Sequence, residues 1–278
     1  MIPAAFEYHR PTSVDDALAL LAEHGSDAKL LAGGMSLLPL MKLRLARPER
    51  LIDIGRLGDL RGVRRLDDGS LAIGALTTYA ELLANPEVTV YALLADALPG
   101  IGDIQVRNAG TIGGAVAHAD PAADLPACLL ALEAEVVARS QSGERTIPID
   151  ECITGAFASS LRPDELVVEI RLPAPSGAFG SAYRSLEQPA SGYALAGAAV
   201  VVGPGVCRIG ITGVGEHVYR ATAAEQAFVD GGDAAAAGAH ATDGVTVNSD
   251  IHADTAYRAA LAATQVRRAI ETAVARAG

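Results

Sequence analysis

"NAGTIGGAVAHADPAADLP", residues 108–126, is the least random stretch of this chain. It places a Thr-Ile-Gly-Gly turn a few residues before His118, Asp120 and Asp124. Four kinds of structure fit this pattern: a phosphate cradle, a metal site, a cluster of catalytic acids and bases, or a tight turn that leads into a helix. Each predicts different features elsewhere, so the remaining sequence has to decide between them.

The composition excludes several broad classes of protein. A chain of 278 residues allows one large domain or two modest ones with real cores. The net charge of −11 argues against a general nucleic-acid surface, which needs clustered Lys and Arg. No charge-free apolar run reaches the roughly 18 residues of a membrane span. The N-terminus lacks the basic and apolar regions of a signal peptide, so we expect a cytoplasmic location.

The three cysteines, Cys128, Cys152 and Cys207, lie far apart in the sequence. Without a CxxC pair, the chain by itself cannot build a zinc ribbon or an iron–sulfur cluster. We therefore expect three small buried thiols.

The coarse pattern predicts an α+β chain. Ser13, followed by Asp16, predicts a capped helix that ends at Gly25. Further strands are predicted at 28–31, 50–54, 70–75, 135–140, 145–149 and 166–172, and further helices at 77–88, 90–98 and 124–133. A Pro/Gly/Ser-rich boundary falls at 173–181. Beyond it, three strands suited to one antiparallel sheet (181–188, 193–202 and 206–214) precede a helix at 221–229 and a long helix at about 253–277. Arg267, Arg268 and Arg276 suit the C-terminal end of the last helix.

Two glycine turns are candidate anion sites. Gly33-Gly34 follows a strand-like run and precedes Ser36; Gly113-Gly114 follows Thr111. Glycines let backbone N–H groups face an anion without obstruction by Cβ, and two such turns suit a pyrophosphate held from two sides. Either turn taken alone is also compatible with an ordinary strand-to-helix connection. Neither matches GxGxxG or GxxxxGK[ST], and GVGEHV (213–218) lacks the third glycine, so Rossmann and P-loop sites are disfavoured.

The acidic cluster after the second turn does not suit a metal. The spacing of His118, Asp120 and Asp124 places no three ligands on one helix face, and Pro121 interrupts any helix there. Asp124 is a natural helix N-cap. Asp120, before a proline, is expected in an extended or turn conformation from which it can accept hydrogen bonds from a ribose or a flavin. No GxSxG or triad pattern is present, so a nucleophile–base triad finds no support.

The basic run Lys42-Leu-Arg44-Leu-Ala-Arg47-Pro-Glu-Arg50 has two interpretations. One is a solvated helix face. The other is a contact surface for an acidic partner subunit.

A family resemblance rests on AGGMSLLP near residue 32 and VRNAGTIGGAVAHADPAADLPA near residue 106. Together they resemble the FAD-binding medium subunit of molybdenum hydroxylases, nearest the carbon monoxide dehydrogenase branch in length and motif and more distantly the flavin domain of xanthine dehydrogenase. The resemblance extends over FEYHRPTSVDDALALL, TTYAELL, SGYALAGAAVVV and YRAALAATQVRRAI, and so runs nearly end to end. It favours the phosphate cradle for residues 108–126.

The resemblance implies a fold of the vanillyl-alcohol-oxidase type. An FAD-binding domain at 1–175, with subdomains at about 1–55 and 56–175, would precede a sheet-and-helix domain at 176–278. The implied FAD-binding residues are Ala32, Gly33, Gly34, Met35, Ser36 and Leu37 on one side of the pyrophosphate, Gly110, Thr111, Ile112, Gly113, Gly114 and Ala115 on the other, Asp120 and Asp124 as nearby acids, and Leu166 and Tyr193 beside the isoalloxazine.

The resemblance also implies partners. Electrons would pass from a large subunit with the molybdenum cofactor, through a small subunit with two [2Fe–2S] clusters, to FAD here, in a dimer of heterotrimers. Two departures matter: relatives often carry His or Gln at Met35 and Asn at Ala115. We expect FAD binding to survive through backbone amides. The alternatives are a stand-alone FAD-dependent oxidoreductase and a flavin-free assembly subunit.

Overall fold

The computed structural model describes residues 2–175 and 178–277; residues 176 and 177, within the predicted boundary at 173–181, lie outside it. The strands are β1 (Glu7–His9), β2 (Ala28–Leu31), β3 (Arg50–Asp53), β4 (Val63–Arg65), β5 (Leu71–Gly74), β6 (Glu135–Ser140), β7 (Gly143–Pro148), β8 (Ile153–Gly155), β9 (Ala158–Ser159), β10 (Leu166–Leu172), β11 (Gly180–Glu187), β12 (Ala194–Gly203), β13 (Val206–Thr212) and β14 (Tyr219–Arg220).

The helices alternate irregularly with these strands. They are α1 (Val14–His24), α2 (Leu37–Lys42), α3 (Tyr79–Ala84), α4 (Pro86–Thr89), α5 (Ala92–Ala97), α6 (Ile104–Ala109), α7 (Ile112–His118), α8 (Asp124–Ala131), α9 (Ile149–Cys152), α10 (Thr222–Val229), α11 (Ala234–Ala239) and α12 (Thr255–Arg276). Among the described residues, no helix combines the length and apolarity needed to cross a bilayer.

The first sheet is small and parallel, in the order β1-β3-β2. The predicted capped helix is confirmed as α1: the Ser13 hydroxyl accepts the Asp16 amide, and Gly25, at φ 52°, ends the helix. Its apolar face, with Ala17 and Leu18, is buried in one hydrophobic cluster with Ile52 of β3.

The second sheet is antiparallel and has the order β4-β5-β10-β6-β7. Its central strand, β10, pairs with β5 on one side and β6 on the other, so Ile170 lies opposite both Ile73 and Val136. All three side chains are fully buried, which explains the apolar character of these strands.

The third sheet, β11-β12-β13-β14, is antiparallel, as predicted for the C-terminal part. The long helix α12 covers β11 and β12, while α8 and α5 pack against the sheet from the other part of the chain. A Cβ on Gly180 would collide with the Ala273 carbonyl of α12, and one on Gly210 with the Ala127 carbonyl of α8. Glycines therefore allow a helix to lie close to each side of this sheet. The α+β class and the C-terminal sheet with helices are confirmed.

Several predicted elements differ in detail. The helix predicted at 77–88 is two helices, because Asn85 is extended (ψ 117°) and its side chain accepts the Glu87 amide to start α4 at Pro86. Asp124 is not an N-cap: Ala123 occupies that position, and Asp124 is the first residue of α8. The interpretation of the basic run as a helix face is wrong, because α2 ends at Lys42.

The last helix is shorter than predicted and its basic residues are placed differently. Asp254 caps it by accepting the Tyr257 amide at 2.7 Å. Only Arg276 lies in its final turn. That guanidinium donates to the Asp96 carboxylate at 2.7 Å, so it ties α12 to α5 besides facing the helix end.

Candidate functional site

The two glycine turns, eighty residues apart in sequence, lie against each other. The first turn leaves β2 and reaches α2 through Gly34, whose φ of 73° is a conformation that favours glycine. At Gly33, a Cβ would collide with the carbonyl of Ala109, directly before the second motif. The backbones of the two motifs are thus in contact, as two-sided binding of a pyrophosphate requires.

The second motif is fixed from beneath by the segment that follows β5. Thr111 forms an antiparallel bridge with Thr78, and the Gly113 amide donates to the Ala75 carbonyl at 2.9 Å. A Cβ on Gly113 would stand 2.5 Å from the Ala75 side chain. Thr111 also caps α7, accepting the Gly114 amide at 3.2 Å. These contacts hold the backbone of the second motif in place, and Ile112 and Gly113 are buried within it.

The first turn offers free donors. Within residues 2–175 and 178–277, the amides of residues 33–36 have no hydrogen-bond acceptor, and the Ser36 hydroxyl does not cap α2. Successive unpaired N–H groups around a left-handed glycine form a concave anion site. Amides in this arrangement suit a phosphate, which supplies several acceptor oxygens.

Asp124 and Tyr183 form a buried pair at the end of the second motif. The Tyr183 hydroxyl donates to the Asp124 carboxylate, which is only 9% exposed. Burial raises the pKa of Asp124 to about 6, and the charges of Glu187 and Asp120 act in the same direction, against the Tyr183 hydrogen bond. Asp124 therefore holds the C-terminal sheet through β11, a function that sequence reasoning missed because Tyr183 lies far away in the chain.

Tyr193 lies near Asp120 and Asp124. It is 49% exposed. Burial, followed by the negative charges of Asp120 and Asp124, raises the pKa of its phenol. The ring is thus beside the predicted acids and open to a ligand. Asp120 accepts the Ala122 amide at 2.9 Å, the turn conformation that its position before Pro121 predicts.

Tyr79 links this acidic region to the glycine turns and was not anticipated from the sequence. A Cβ on Gly110 would stand 2.7 Å from its ring. Burial, together with the charge of Asp124, raises the pKa of Tyr79. The only available signal was the motif TTYAELL, which identifies a helix start and gives no reason to select the tyrosine.

Leu166 and His118 lie apart from this cluster. Leu166 is 2% exposed and packs with Leu60 and Leu76 in the cluster beneath the first sheet. Its assignment beside a flavin stays a prediction. The His118 ring packs against Phe157 at a centroid distance of 5.1 Å. In the part of the chain that the structure describes, no three His, Cys, Asp or Glu side chains are grouped to hold a metal.

The geometry fits the pyrophosphate of FAD. A side chain on Gly33 would collide across the junction of the two turns, and one on Gly110 or Gly113 would collide with Tyr79 or Ala75, which pack against the second turn. Met35 is 39% exposed and Ala115 is part-buried, and neither side chain carries a hydrogen-bond donor. Because the donors of the first turn are backbone amides, its capacity to bind an anion does not depend on either side chain.

Comparisons with known proteins identify the family of this chain. Residues 4–175 match the family described as the FAD binding domain in molybdopterin dehydrogenase. The chain is 43% identical to the carbon monoxide dehydrogenase medium chain of Hydrogenophaga pseudoflava, over 99% of both chains. It is 40% identical to 6-hydroxypseudooxynicotine dehydrogenase complex subunit alpha of Paenarthrobacter nicotinovorans, over 100% of this chain and 97% of the relative.

A solved structure agrees over the same length. A chain of carbon monoxide dehydrogenase from Hydrogenophaga pseudoflava, in a form that lacks the Mo-pyranopterin moiety of its cofactor, superposes with a TM-score of 0.94 at 44% identity and 99% coverage of both chains. The family resemblance is confirmed. This chain belongs to the family of FAD-binding domains of molybdopterin dehydrogenases and is an FAD-binding medium subunit of the molybdenum hydroxylase type.

Proposed function

We propose that this chain takes electrons from [2Fe–2S] clusters of a partner subunit and passes them, through FAD, to an external acceptor. The observation that carries this proposal is the contact between the two glycine turns, at which the amides of residues 33–36 have no hydrogen-bond acceptor among the described residues. The likeness to a medium chain over nearly the full length supports the same function.

The chain's own residues bind and orient the cofactor. The amides of residues 33–36 and the Ser36 hydroxyl bind the phosphates from one side. Thr111 and Gly114 form the opposite side of the phosphate cradle, and Ala32, Leu37 and Ala115 complete it. FAD, when bound, supplies the redox centre, and the protein supplies its position and electrostatic surroundings. No general acid or base is assigned to this chain.

We assign Asp120, Asp124 and the exposed Tyr193 to the isoalloxazine end of FAD. Tyr193 would cover one isoalloxazine face, while the Asp120 carboxylate would accept hydrogen bonds from the ribose or flavin. The buried Asp124 orients this region through Tyr183. Access to the flavin, and its redox behaviour, would then depend on Tyr193.

The assembly follows from the same proposal. A large subunit with the molybdenum cofactor and a small iron–sulfur subunit would complete the enzyme, as a cytoplasmic dimer of heterotrimers. Substrate would bind on the large subunit. The relatives' names cover carbon monoxide, 6-hydroxypseudooxynicotine and caffeine dehydrogenases, which fits a medium chain that does not contact substrate.

The test is purification of the complex from cells through a tag on this chain. The released flavin is identified after heat denaturation, and iron and molybdenum are measured in the same sample. We expect stoichiometric FAD, iron and molybdenum. A flavin-free complex would make the chain an assembly subunit. A chain that carries FAD alone and turns over a substrate without partners would make it a stand-alone oxidoreductase.

A further inference from the structure

A tight turn follows α2 and is held in one conformation. The amides of Leu45 and Ala46 both donate to the Leu40 carbonyl, at 2.9 and 3.3 Å. Between α2 and Leu45, Arg44 has a φ of 59°, in the left-handed region that favours glycine. The turn is ordered by its own backbone, and it directs the side chains on either side of Arg44 to the surface.

These side chains form a surface that we call the Leu45 patch. Its residues are Ile2, Lys42, Leu43, Arg44, Leu45 and Arg47. Arg44 Nε donates to the Ile2 carbonyl at 3.4 Å and Arg47 Nε to the Arg44 carbonyl at 2.9 Å, so the N-terminal segment and the turn are contiguous.

The centre of the Leu45 patch is apolar and exposed. Ile2 is 79% exposed, Leu45 73% and Leu43 53%. Single exposed apolar residues are ordinary, but three on one contiguous surface with a charged border are typical of a protein–protein contact. Burying them against an apolar partner surface would remove this area from water.

The border of the patch consists of positively charged side chains that lack a carboxylate partner among the described residues. Among the described residues, Lys42, Arg44 and Arg47 form no ion pair, whereas Arg50, Arg61 and Arg64 each have a carboxylate partner. The whole chain carries a net charge of −11. Three free cations together on an acidic protein are complementary to carboxylates on another surface.

The position of the patch indicates which partner subunit brings those carboxylates. The helix α2 spans six residues, about 9 Å, between the first glycine turn and Lys42. An electron donor has to dock close to the bound FAD, and the Leu45 patch is separated from the proposed phosphate site of that cofactor by this one helix. The iron–sulfur subunit therefore fits this surface better than a partner that exchanges no electrons with the flavin.

We propose that the Leu45 patch is the docking surface for an acidic face of the iron–sulfur subunit, with Leu43 and Leu45 at its centre and the three cations pairing with carboxylates around them. This inference rests on the proposed function, because it assumes that such a subunit is the electron donor. It goes further by assigning a surface and the chemistry of the facing one.

The first test reverses charge at the border. The variant Lys42→Glu/Arg44→Glu is co-produced with the other subunits, and gel filtration at increasing salt measures its association with the iron–sulfur subunit. The matched control is Arg268→Glu, which changes an exposed arginine of α12 that also forms no ion pair among the described residues. We expect the double variant to associate roughly tenfold more weakly than the wild type, since charges at the border of an interface govern encounter and its salt dependence. The control should associate as the wild type does.

The second test maps the contact without disturbing charge. Leu45→Cys introduces an accessible thiol into a chain whose three native cysteines are buried, so background labelling by a maleimide is low. We expect the new thiol to react in the isolated chain and to be protected in the assembled complex, while Arg268→Cys reacts in both. A carbodiimide should couple the Lys42 amine to a carboxylate of the iron–sulfur subunit, identified by mass spectrometry.

The outcomes separate the two proposals. If the wild-type complex contains FAD and the iron–sulfur subunit, yet the double variant assembles normally and the Leu45→Cys thiol stays reactive, the docking surface is wrong and the proposed function stands. Coupling of Lys42 to the molybdenum subunit, or to a second copy of this chain, overturns the inference in the same way. If the wild-type chain binds neither FAD nor that subunit, the proposed function fails and the inference fails with it.

Discussion

Gly33 occupies a position where a single methyl group has nowhere to go. A Cβ there would collide with the Ala109 carbonyl, a backbone atom that cannot rotate away. We predict that Gly33→Ala separates the two glycine turns, so that the purified complex loses most of its FAD and the chain loses about 1–3 kcal/mol of stability through overpacking. Flavin released per chain and the thermal midpoint measure both effects.

The matched control for this glycine is Gly58→Ala. Nothing lies within 4 Å of a Cβ at Gly58. We therefore expect its flavin content to equal that of the wild type. Full FAD occupancy in Gly33→Ala would show that the contact between the turns is not needed for binding.

Asp124 gives stability a distinct pH dependence. Its pKa is raised by burial to about 6 in the folded protein, against about 3.9 in the unfolded chain. The folded state holds its proton more tightly, so this residue's contribution falls as pH rises from about 4 to 6 and is fully lost above that range, a change of about 3 kcal/mol. We predict that Asp124→Asn, which keeps an acceptor for Tyr183 and cannot ionise, removes this component.

Urea unfolding of both proteins at several pH values between 4 and 7 measures the difference. The gap in unfolding free energy between wild type and Asp124→Asn should change across this window, in favour of the variant at the higher pH. Parallel curves would mean that the pKa of Asp124 is the same in the folded and unfolded chains.

At the scale of elements, one buried arginine fixes α12 on the third sheet. Arg258 is 4% exposed and donates to the carbonyls of Leu195 at 2.8 Å and Gly213 at 2.6 Å, where β12 begins and β13 ends. We predict that Arg258→Met costs about 2–4 kcal/mol, because two carbonyls lose a charge-assisted donor. Thermal unfolding measures this, with the exposed Arg268→Met as a control that should change little. Arg258→Lys should recover part of the loss, since an ammonium can still donate to one carbonyl.

Local patterns explain which elements the sequence predicts and which it does not. The α1 helix carries its start and stop signals within thirteen residues of sequence, at Ser13 and Gly25, and it forms where expected. Asp124 carries an equally good cap signal, but its structure is decided by Tyr183, 59 positions away, which makes it a buried partner instead. The insertion of β10 between β5 and β6 is likewise a long-range choice that no local pattern encodes.

The same distinction applies to the candidate site. Both glycine turns were found because each has a local signature, and their contact follows from a pairing that only the folded chain reveals. Tyr79 and Tyr183 were missed because their surroundings, Gly110 and Asp124, are brought to them by the fold.

At the scale of the whole molecule, the two parts on either side of the proposed boundary at residue 175 share one hydrophobic cluster. Tyr183 and Val201 of the C-terminal sheet belong to the same hydrophobic cluster as Leu94 and Leu129. The Asp96–Arg276 ion pair adds a polar contact between the two parts. Independent domains are joined by smaller and more polar contacts than these.

We therefore predict that the full chain unfolds in one cooperative step, despite its two parts. The calorimetric and van't Hoff enthalpies should agree. Gly210→Ala, whose Cβ would collide with the Ala127 carbonyl across the interface, should lower the midpoint of that single transition, while Gly58→Ala should not. Two separate transitions, of which Gly210→Ala shifts only one, would instead make the boundary at 175 a division between independent folding units. The two glycine turns would then survive unfolding of the C-terminal sheet, whereas Tyr193, directly before β12, and Tyr183, the partner of Asp124, would lose their positions with it.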